Sequence, residues 1–214
     1  MIEVIGVTKI FKEVEALKPV SFKLDYGEAL GVVGKSGCGK TTLAKIICRL
    51  IQPSRGKVLY RGENLFKLKK AKLKKFRQKV QIVFQDPLAS LDPKMTVEQS
   101  LSEPIMIHKS YLKRAIPQHI RSLVKKVGLD YGILNRYPHQ ISGGQRQRVN
   151  IARALATEPK LLICDEPLSS LDLPVQANIL RLLLKLKREE KLALLFISHD
   201  PAVIKVVSDR VVKL

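Results

Sequence analysis

Cysteine, long apolar runs and acidic side chains are all scarce in this sequence. The three cysteines, Cys38, Cys48 and Cys164, form an odd set without a C-x-x-C pair. This argues against a disulfide framework and against a zinc site, and it suits a reducing compartment. The longest comparable apolar run, Leu192 to Ile197, falls far short of the roughly 18 residues that a membrane helix needs. No membrane-spanning segment is therefore predicted.

The first residues lack the features of a secretory signal. Glu3 stands where such a signal would be basic, and no long apolar stretch follows it. The chain is therefore expected to stay in the cytoplasm.

The chain has 39 Lys and Arg but only 19 Asp and Glu, a formal net charge of +20, which attracts polyanions of many kinds. Nucleotides, nucleic acids and the anionic cytoplasmic leaflet all remain open as partners on charge alone.

The apolar patterning predicts an α/β fold. Alternating apolar and polar residues at 3–7 and 20–24 indicate half-buried antiparallel strands. Continuously apolar segments at 29–33, 80–84, 161–164 and 192–197 indicate buried strands, with helices expected at 42–50 and 174–188. Strands that alternate with helices predict a parallel sheet. Residues 97–157 have helical spacing broken by Pro104, Pro117 and Pro138, which predicts a helical lobe.

The segment from Lys67 to Lys79 holds eight basic residues and no acidic one. Phe66, Leu73, Phe76 and Val80 are spaced as the apolar stripe of an amphipathic helix. The favoured interpretation is a helix with a solvated basic face, and contact with anionic lipid or another polyanion stays open.

A glycine-rich segment follows the strand predicted at 29–33. It reads GKSGCGKT from Gly34 to Thr41 and satisfies G-x-x-x-x-G-K-[ST] between a strand and a helix, the context that makes this pattern meaningful. Glycines let successive N–H groups point at phosphate oxygens, and the following helix adds its positive end. Lys40 is expected to reach the β- and γ-phosphates, and Thr41 to offer its hydroxyl to Mg²⁺.

Two carboxylates end the strand predicted at 161–164. Asp165 and Glu166 fall at the carboxyl end of a buried strand, where open α/β sheets form their ligand crevice. Asp165 suits Mg²⁺ binding, and Glu166 suits polarisation of an attacking water.

A second candidate anion cradle begins at Ser142, followed by Gly143, Gly144 and Gln145 and then a helical pattern. Ser142 lies 102 residues beyond Lys40, past the helical lobe. Two phosphate-binding cradles in one small chain cannot easily bind the same nucleotide. A second copy of the chain is therefore the natural partner.

The ordered motifs GKSGCGKT, FQDP, ISGGQ, LLICDEP, SSLD and ISHD resemble the ATP-binding-cassette (ABC) ATPases along essentially the whole chain. The resemblance implies a P-loop NTPase (RecA-like) core with an antiparallel β subdomain at 1–85 and 158–214, and an inserted α-helical subdomain at 86–157. It also implies a head-to-tail dimer in which each ATP lies between the phosphate loop of one chain and the SGGQ signature of the other.

The resemblance assigns roles by position. Phe11 would stack on adenine, although the family more often has tyrosine there. Gln85 would sense Mg²⁺ and the attacking water, His199 would contact the γ-phosphate, and Ser169 to Asp172 would communicate across the dimer. The catalytic set implied is Glu166, His199, Gln85 and Lys40, and the metal set is Thr41, Gln85 and Asp165. The ATP-binding set implied is Phe11, Gly34, Lys35, Ser36, Gly37, Cys38, Gly39, Lys40, Thr41, Thr42, Ser142, Gly143, Gly144, Gln145 and Asp172.

The amino-acid sequences of residues 83–93 and 136–140 are similar to those of the ATPases in the dipeptide, oligopeptide and nickel importer branch. This implies a peripheral subunit at the cytoplasmic face of the membrane, with a second identical or related ATPase, two permeases and an external solute-binding protein. The chain stops at Leu214, where family members normally continue, so it is either minimal or trimmed.

Three rival interpretations belong to other classes. They are a soluble ABC ATPase of carbon–phosphorus-lyase type, a nucleic-acid-linked ABC protein, and a module that binds ATP without hydrolysing it. The 102 residues between Lys40 and Ser142 leave no space for the coiled coils or second cassette of nucleic-acid-linked forms, so no specific nucleic acid is expected. Because Lys40, Asp165, Glu166 and His199 are all present, nothing favours the inactive module.

Overall fold

The computed structural model describes residues 1–108 and 111–214. Its strands are β1 (Ile2–Phe11), β2 (Val14–Leu24), β3 (Ala29–Val33), β4 (Arg55–Tyr60), β5 (Glu63–Asn64), β6 (Val80–Val83), β7 (Leu161–Asp165), β8 (Ala193–Ser198) and β9 (Arg210–Lys213). Its helices are α1 (Lys40–Ile47), α2 (Lys70–Lys79), α3 (Val97–His108), α4 (Ile116–Lys126), α5 (Gly143–Leu155), α6 (Leu173–Glu190) and α7 (Pro201–Val207). The part of the predicted helical lobe at 109 and 110 lies outside the described residues.

The strands form two sheets. One is antiparallel, with the order β2-β1-β4-β5, and the other has five parallel strands in the order β6-β7-β8-β3-β9. Strand β8 separates β3 from β7, and the carboxyl ends of β3, β6, β7 and β8 share one edge. The α/β class and the buried strands predicted from continuous apolar runs are confirmed.

The three central strands of the parallel sheet, β3, β7 and β8, are buried on both faces. Because successive side chains of a strand point to opposite faces, Leu194 and Phe196 pack with the helices α3, α4 and α5. Leu195 and Ile197 instead join the cluster that contains α1 and the antiparallel sheet. Strands covered on both faces are continuously apolar, which is why these segments could be recognised from the sequence.

The break predicted at Pro104 is wrong, because α3 continues through it to His108. A proline inside a helix removes one hydrogen bond and costs roughly 3 kcal/mol. Val97, Leu101 and Ile105 are buried on one side of this helix, and their packing outweighs that cost. Pro117 instead lies in the first turn of α4, where proline is tolerated.

None of the helices in the described ranges is long and apolar enough to cross a membrane.

Candidate active site

The phosphate loop joins β3 to α1 and depends on glycine at two positions. Gly37 has φ +82° and Gly39 has φ +99°, in the left-handed region that glycine adopts most readily. A Cβ on Gly39 would also lie 2.3 Å from the carbonyl oxygen of Ala16. Helix α1 begins at Lys40, two residues before the predicted start. The unpaired N–H groups of its first turn therefore adjoin the loop.

A cavity of about 250 Å³ opens beside this loop. It is lined by Ala16, Ser36, Gly37, Gly39, Lys40, Thr41, Thr42, Gln85 and Glu166. Gln85 follows β6 and Glu166 follows β7, so the shared edge of the sheet brings distant motifs together. Ala16, on β2, was missed from the sequence because a small apolar residue in a strand carries no chemical signal.

Lys40 is held inside the cavity by its own loop. Its side chain is only 5% exposed, and its Nζ lies 3.4 Å from Glu166 Oε1. The same ammonium donates to the carbonyl oxygens of Gly34 and Lys35 at 3.0 and 3.1 Å. A buried ammonium needs such partners, and the arrangement keeps a positive charge where an anionic ligand would enter.

Glu166 lies between Lys40 and His199. Its Oε2 is 3.1 Å from His199 Nδ1, and its backbone N–H donates to the carbonyl oxygen of Ile197. The residue adopts φ +48°, a left-handed conformation that is uncommon outside glycine and often marks a functional site. Because His199 is 60% exposed and Glu166 only 14%, the histidine reaches the carboxylate from the solvent side.

Asp165 and Thr41 form the group of oxygen donors beside Lys40. Asp165 is 1% exposed, and its Oδ1 has no hydrogen-bond partner among the described residues. Burial raises the pKa of Asp165, and a hydrogen bond from Thr41 and the positive charge of Lys40 partly oppose the increase. A buried carboxylate with an open oxygen beside a hydroxyl is the donor set that Mg²⁺ prefers, so the residues present fit that ion.

The signature segment caps helix α5. Ser142 Oγ accepts a bond from the N–H of Gln145, and Gln145 Oε1 accepts one from the N–H of Ser142, which is a capping box. A Cβ on Gly144 would lie 2.7 Å from Val175 Cγ1 on α6, so a larger residue here would require Val175 to shift. In the described structure, residues 142–145 do not line the phosphate cavity of their own chain.

Three further predicted residues, Phe11, Cys38 and Asp172, are not among those that line the cavity. Phe11 is 46% exposed, with Lys9 Nζ 4.9 Å from the centre of its ring. Asp172 is exposed and precedes α6, whose first turn contains Pro174. Cys38 is a free thiol of intermediate burial, and its Sγ would overlap a Cβ placed on Gly34, at 2.5 Å.

A larger groove of about 530 Å³ lies between β6, α3 and α5. Phe84 and Asp86, the two neighbours of Gln85, line it together with Ile107 and His108. Glu103 and Arg153 also line it and form an ion pair at 2.6 Å. The segment around Gln85 therefore borders both the phosphate cavity and this groove.

Comparisons with known proteins agree with this geometry. The family model described as "ABC transporter" matches residues 17–169. The chain is 50% identical over 198 residues to the oligopeptide transport ATP-binding protein OppF of Haemophilus influenzae, covering 92% of this chain and 60% of that protein. The chain thus spans about 60% of the length of the curated OppF relatives it matches.

Solved structures give the same picture over the whole chain. The dimeric bacterial ABC transporter cassette MJ0796 has a TM-score of 0.88 at 31% identity, covering 100% of this chain and 94% of that one. A post-hydrolysis dimer of the same cassette, bound to ADP and phosphate, has a TM-score of 0.87. With the matched family model and these relatives, the chain belongs to the ABC transporter family of ATPase cassettes.

Proposed function

We propose that this chain binds and hydrolyses ATP to energise a membrane importer whose solutes are peptides. The observation that carries the proposal is the contact series from Lys40 through Glu166 to His199 beside the phosphate loop. It joins a cation for phosphate, a carboxylate for water and a polar side chain at the entrance, which together meet the needs of phosphoryl transfer.

The chemistry follows from the positions of these side chains. The N–H groups of residues 34–42 and the Lys40 ammonium would hold the phosphates, with Phe11 against adenine. Glu166 would accept a proton from the water that attacks the γ-phosphorus, and His199 would orient the carboxylate and contact the γ-phosphate. Gln85 would orient that water from the opposite wall. The unpaired Oδ1 of Asp165, with Thr41 and Gln85, would hold Mg²⁺, which when bound neutralises charge that develops on the phosphate oxygens.

A second chain would complete each site. Helix α5 begins at the signature, outside the phosphate cavity of its own chain. Ser142, its N-cap residue, is exposed, and helix N-termini attract anions. The similar cassette MJ0796 forms a dimer. We propose a head-to-tail dimer in which this signature and Asp172 face the γ-phosphate held by the partner, with an identical or related chain as that partner.

The groove beside Gln85 would receive a cytoplasmic helix of a permease. Its apolar lining includes Ile107, which is 60% exposed, and an exposed apolar groove of this kind suits an amphipathic helix. Because Gln85 adjoins both cavities, hydrolysis could be coupled to the permease there. The division into a core with β subdomain (1–85 and 158–214) and a helical subdomain (86–157) stays part of this proposal.

Peptides are the proposed solutes because the similar proteins carry oligopeptide transport in their names; nickel has no comparable support. Two permeases and an external solute-binding protein would complete the importer, with this chain at the cytoplasmic face of the membrane. The soluble-complex alternative lacks a comparable relative among these matches. Capture of two permeases with tagged chain from native membranes would support the importer, and capture of soluble enzymes alone would contradict it.

The ATPase is tested with Glu166→Gln. The variant should bind ATP, accumulate as a dimer in size-exclusion chromatography with ATP, and hydrolyse at least ~100-fold more slowly, the usual effect of losing a general base. Glu158→Gln is a matched control, because Glu158 also adopts a left-handed φ, at +51°, yet does not line the cavity. Rapid hydrolysis by Glu166→Gln would remove Glu166 from its assigned role.

A further inference from the structure

Helix α2 borders the groove that we assign to the permease. The groove lining includes Gln81 and His108, and the amide of Gln81 donates to the carbonyl oxygen of Arg77 at 2.5 Å. Burial lowers the pKa of His108, and the positive charges of Lys74 and Arg77 lower it further. The bond from Gln81 joins the last turn of α2 to a residue that lines the groove, so this end of the helix adjoins it.

That flank is a row of unpaired positive charges. Phe76 is 1% exposed and anchors the inner side of α2. Lys70, Lys74 and Arg77 are spaced by four and three residues, so they follow one side of the helix, and all three are exposed. We call these three residues the basic stripe. Within the described ranges none of them has an acidic partner, whereas Lys72 on the other flank pairs with Glu63 at 2.6 Å.

We propose that the basic stripe binds the anionic phospholipid headgroups of the cytoplasmic leaflet while the groove holds the permease helix. This inference rests on the proposed function, because the groove must face the membrane. Because α2 adjoins the groove through Gln81, we place the stripe at the same membrane surface. Anionic headgroups attract nearby Lys and Arg side chains over about one Debye length, roughly 8 Å at physiological salt.

Lipid suits this stripe better than protein or nucleic acid does. The cytoplasmic loops of membrane proteins carry an excess of Lys and Arg, so a permease surface would repel these charges. Sites for single-stranded nucleic acid usually combine basic charge with exposed aromatic rings on which bases stack. The one aromatic residue of α2, Phe76, is buried. The stripe therefore offers charge alone, which is what a headgroup layer recognises.

The test compares two triple variants of the full chain. Lys70→Gln/Lys74→Gln/Arg77→Gln removes the stripe. Arg181→Gln/Lys185→Gln/Arg188→Gln removes the same charge at the same spacing from exposed positions on α6, which does not line the groove. Each protein is sedimented with vesicles of phosphatidylglycerol and phosphatidylcholine, and with vesicles of phosphatidylcholine alone.

We expect the unmodified chain to sediment with the anionic vesicles only. The affinity of the stripe variant for the anionic vesicles should be on the order of 100-fold lower. The affinity of the α6 variant should fall far less. Equal losses in both variants would overturn the proposal, since net charge would then explain the binding. Stripe-dependent binding to single-stranded RNA without binding to vesicles would also overturn it.

Nucleotide binding measured on the same preparations separates this inference from the proposed function. If the unmodified chain binds a fluorescent ATP analogue but not the anionic vesicles, the lipid contact is refuted and the ATPase stands. If it binds vesicles through the stripe but not the nucleotide, the proposed function fails, and with it the membrane-facing groove, although vesicle binding by the stripe persists. The stripe variant should bind the analogue as the unmodified chain does.

Discussion

The Nζ atom of Lys40 lies 3.4 Å from the Oε1 atom of Glu166, inside the phosphate cavity. The cation that is expected to bind phosphate thus faces the carboxylate that is expected to activate water. Both side chains are largely buried, and the carboxylate holds negative charge beside the place where the phosphates of ATP would lie. ATP entry must therefore overcome this ion pair.

Glu166→Gln should tighten ATP binding to the single chain. The substitution removes a negative charge that both competes for Lys40 and repels phosphate, and we expect a three- to tenfold lower Kd, about 1 kcal/mol. Binding should be measured by fluorescence at nanomolar protein, where dimers do not accumulate. Glu158→Gln should leave the Kd unchanged. An unchanged Kd for Glu166→Gln would show that the ion pair does not oppose ATP binding.

Gly39→Ala should destabilise the chain more than Gly37→Ala does. Both glycines have positive φ, but a Cβ on Gly39 would lie 2.3 Å from a carbonyl oxygen, whereas one on Gly37 meets nothing within 4 Å. We expect a loss of about 1 kcal/mol for Gly37→Ala from φ alone and of roughly 3 kcal/mol for Gly39→Ala. Urea unfolding measures both. Equal losses of unfolding free energy would show that the backbone at Ala16 can move away from the added Cβ at little cost.

Ser142→Ala should weaken dimers more than it weakens nucleotide binding by one chain. It removes the cap of α5, which costs about 1 kcal/mol of stability, and it removes a donor from the surface assigned to the partner's ATP. Asp130→Ala is the control, because Asp130 also caps a helical turn through its side chain. Dimers of each variant in the Glu166→Gln background are compared by sedimentation velocity. A similar loss of dimer in both would exclude a direct role for Ser142.

His108 should titrate below its usual pKa of 6.5, because burial and the nearby Lys74 and Arg77 disfavour the charged ring. Its neutral form is favoured by folding, so its contribution to stability is present above pH 6.5 and is lost as the pH falls through the folded pKa. The four histidines can be followed by NMR titration. Lys74→Gln/Arg77→Gln should raise the His108 pKa, and Arg181→Gln/Lys185→Gln should not. No change in the first variant would contradict the contact between α2 and the groove.

Most buried strands could be predicted, but two strands of the antiparallel sheet could not. Strand β3 was predicted with its observed bounds, Ala29–Val33, and β7 differs by one residue. Strands β4 and β5 received no prediction. Among the six residues of β4, only Val58 is fully buried. The segment therefore lacks the alternation of apolar and polar residues by which a strand is predicted from sequence.

The sequence by itself determined the phosphate loop, the acidic pair at 165 and 166 and the signature, because each depends on residue types at fixed local spacing. The tertiary structure decided which of these motifs meet. Glu166 contacts Lys40 and His199 because β7, β8 and β3 are neighbours in one parallel sheet, while Ser142 lies outside that cavity. Strand order is fixed by packing between segments far apart in the chain, and no local pattern records it.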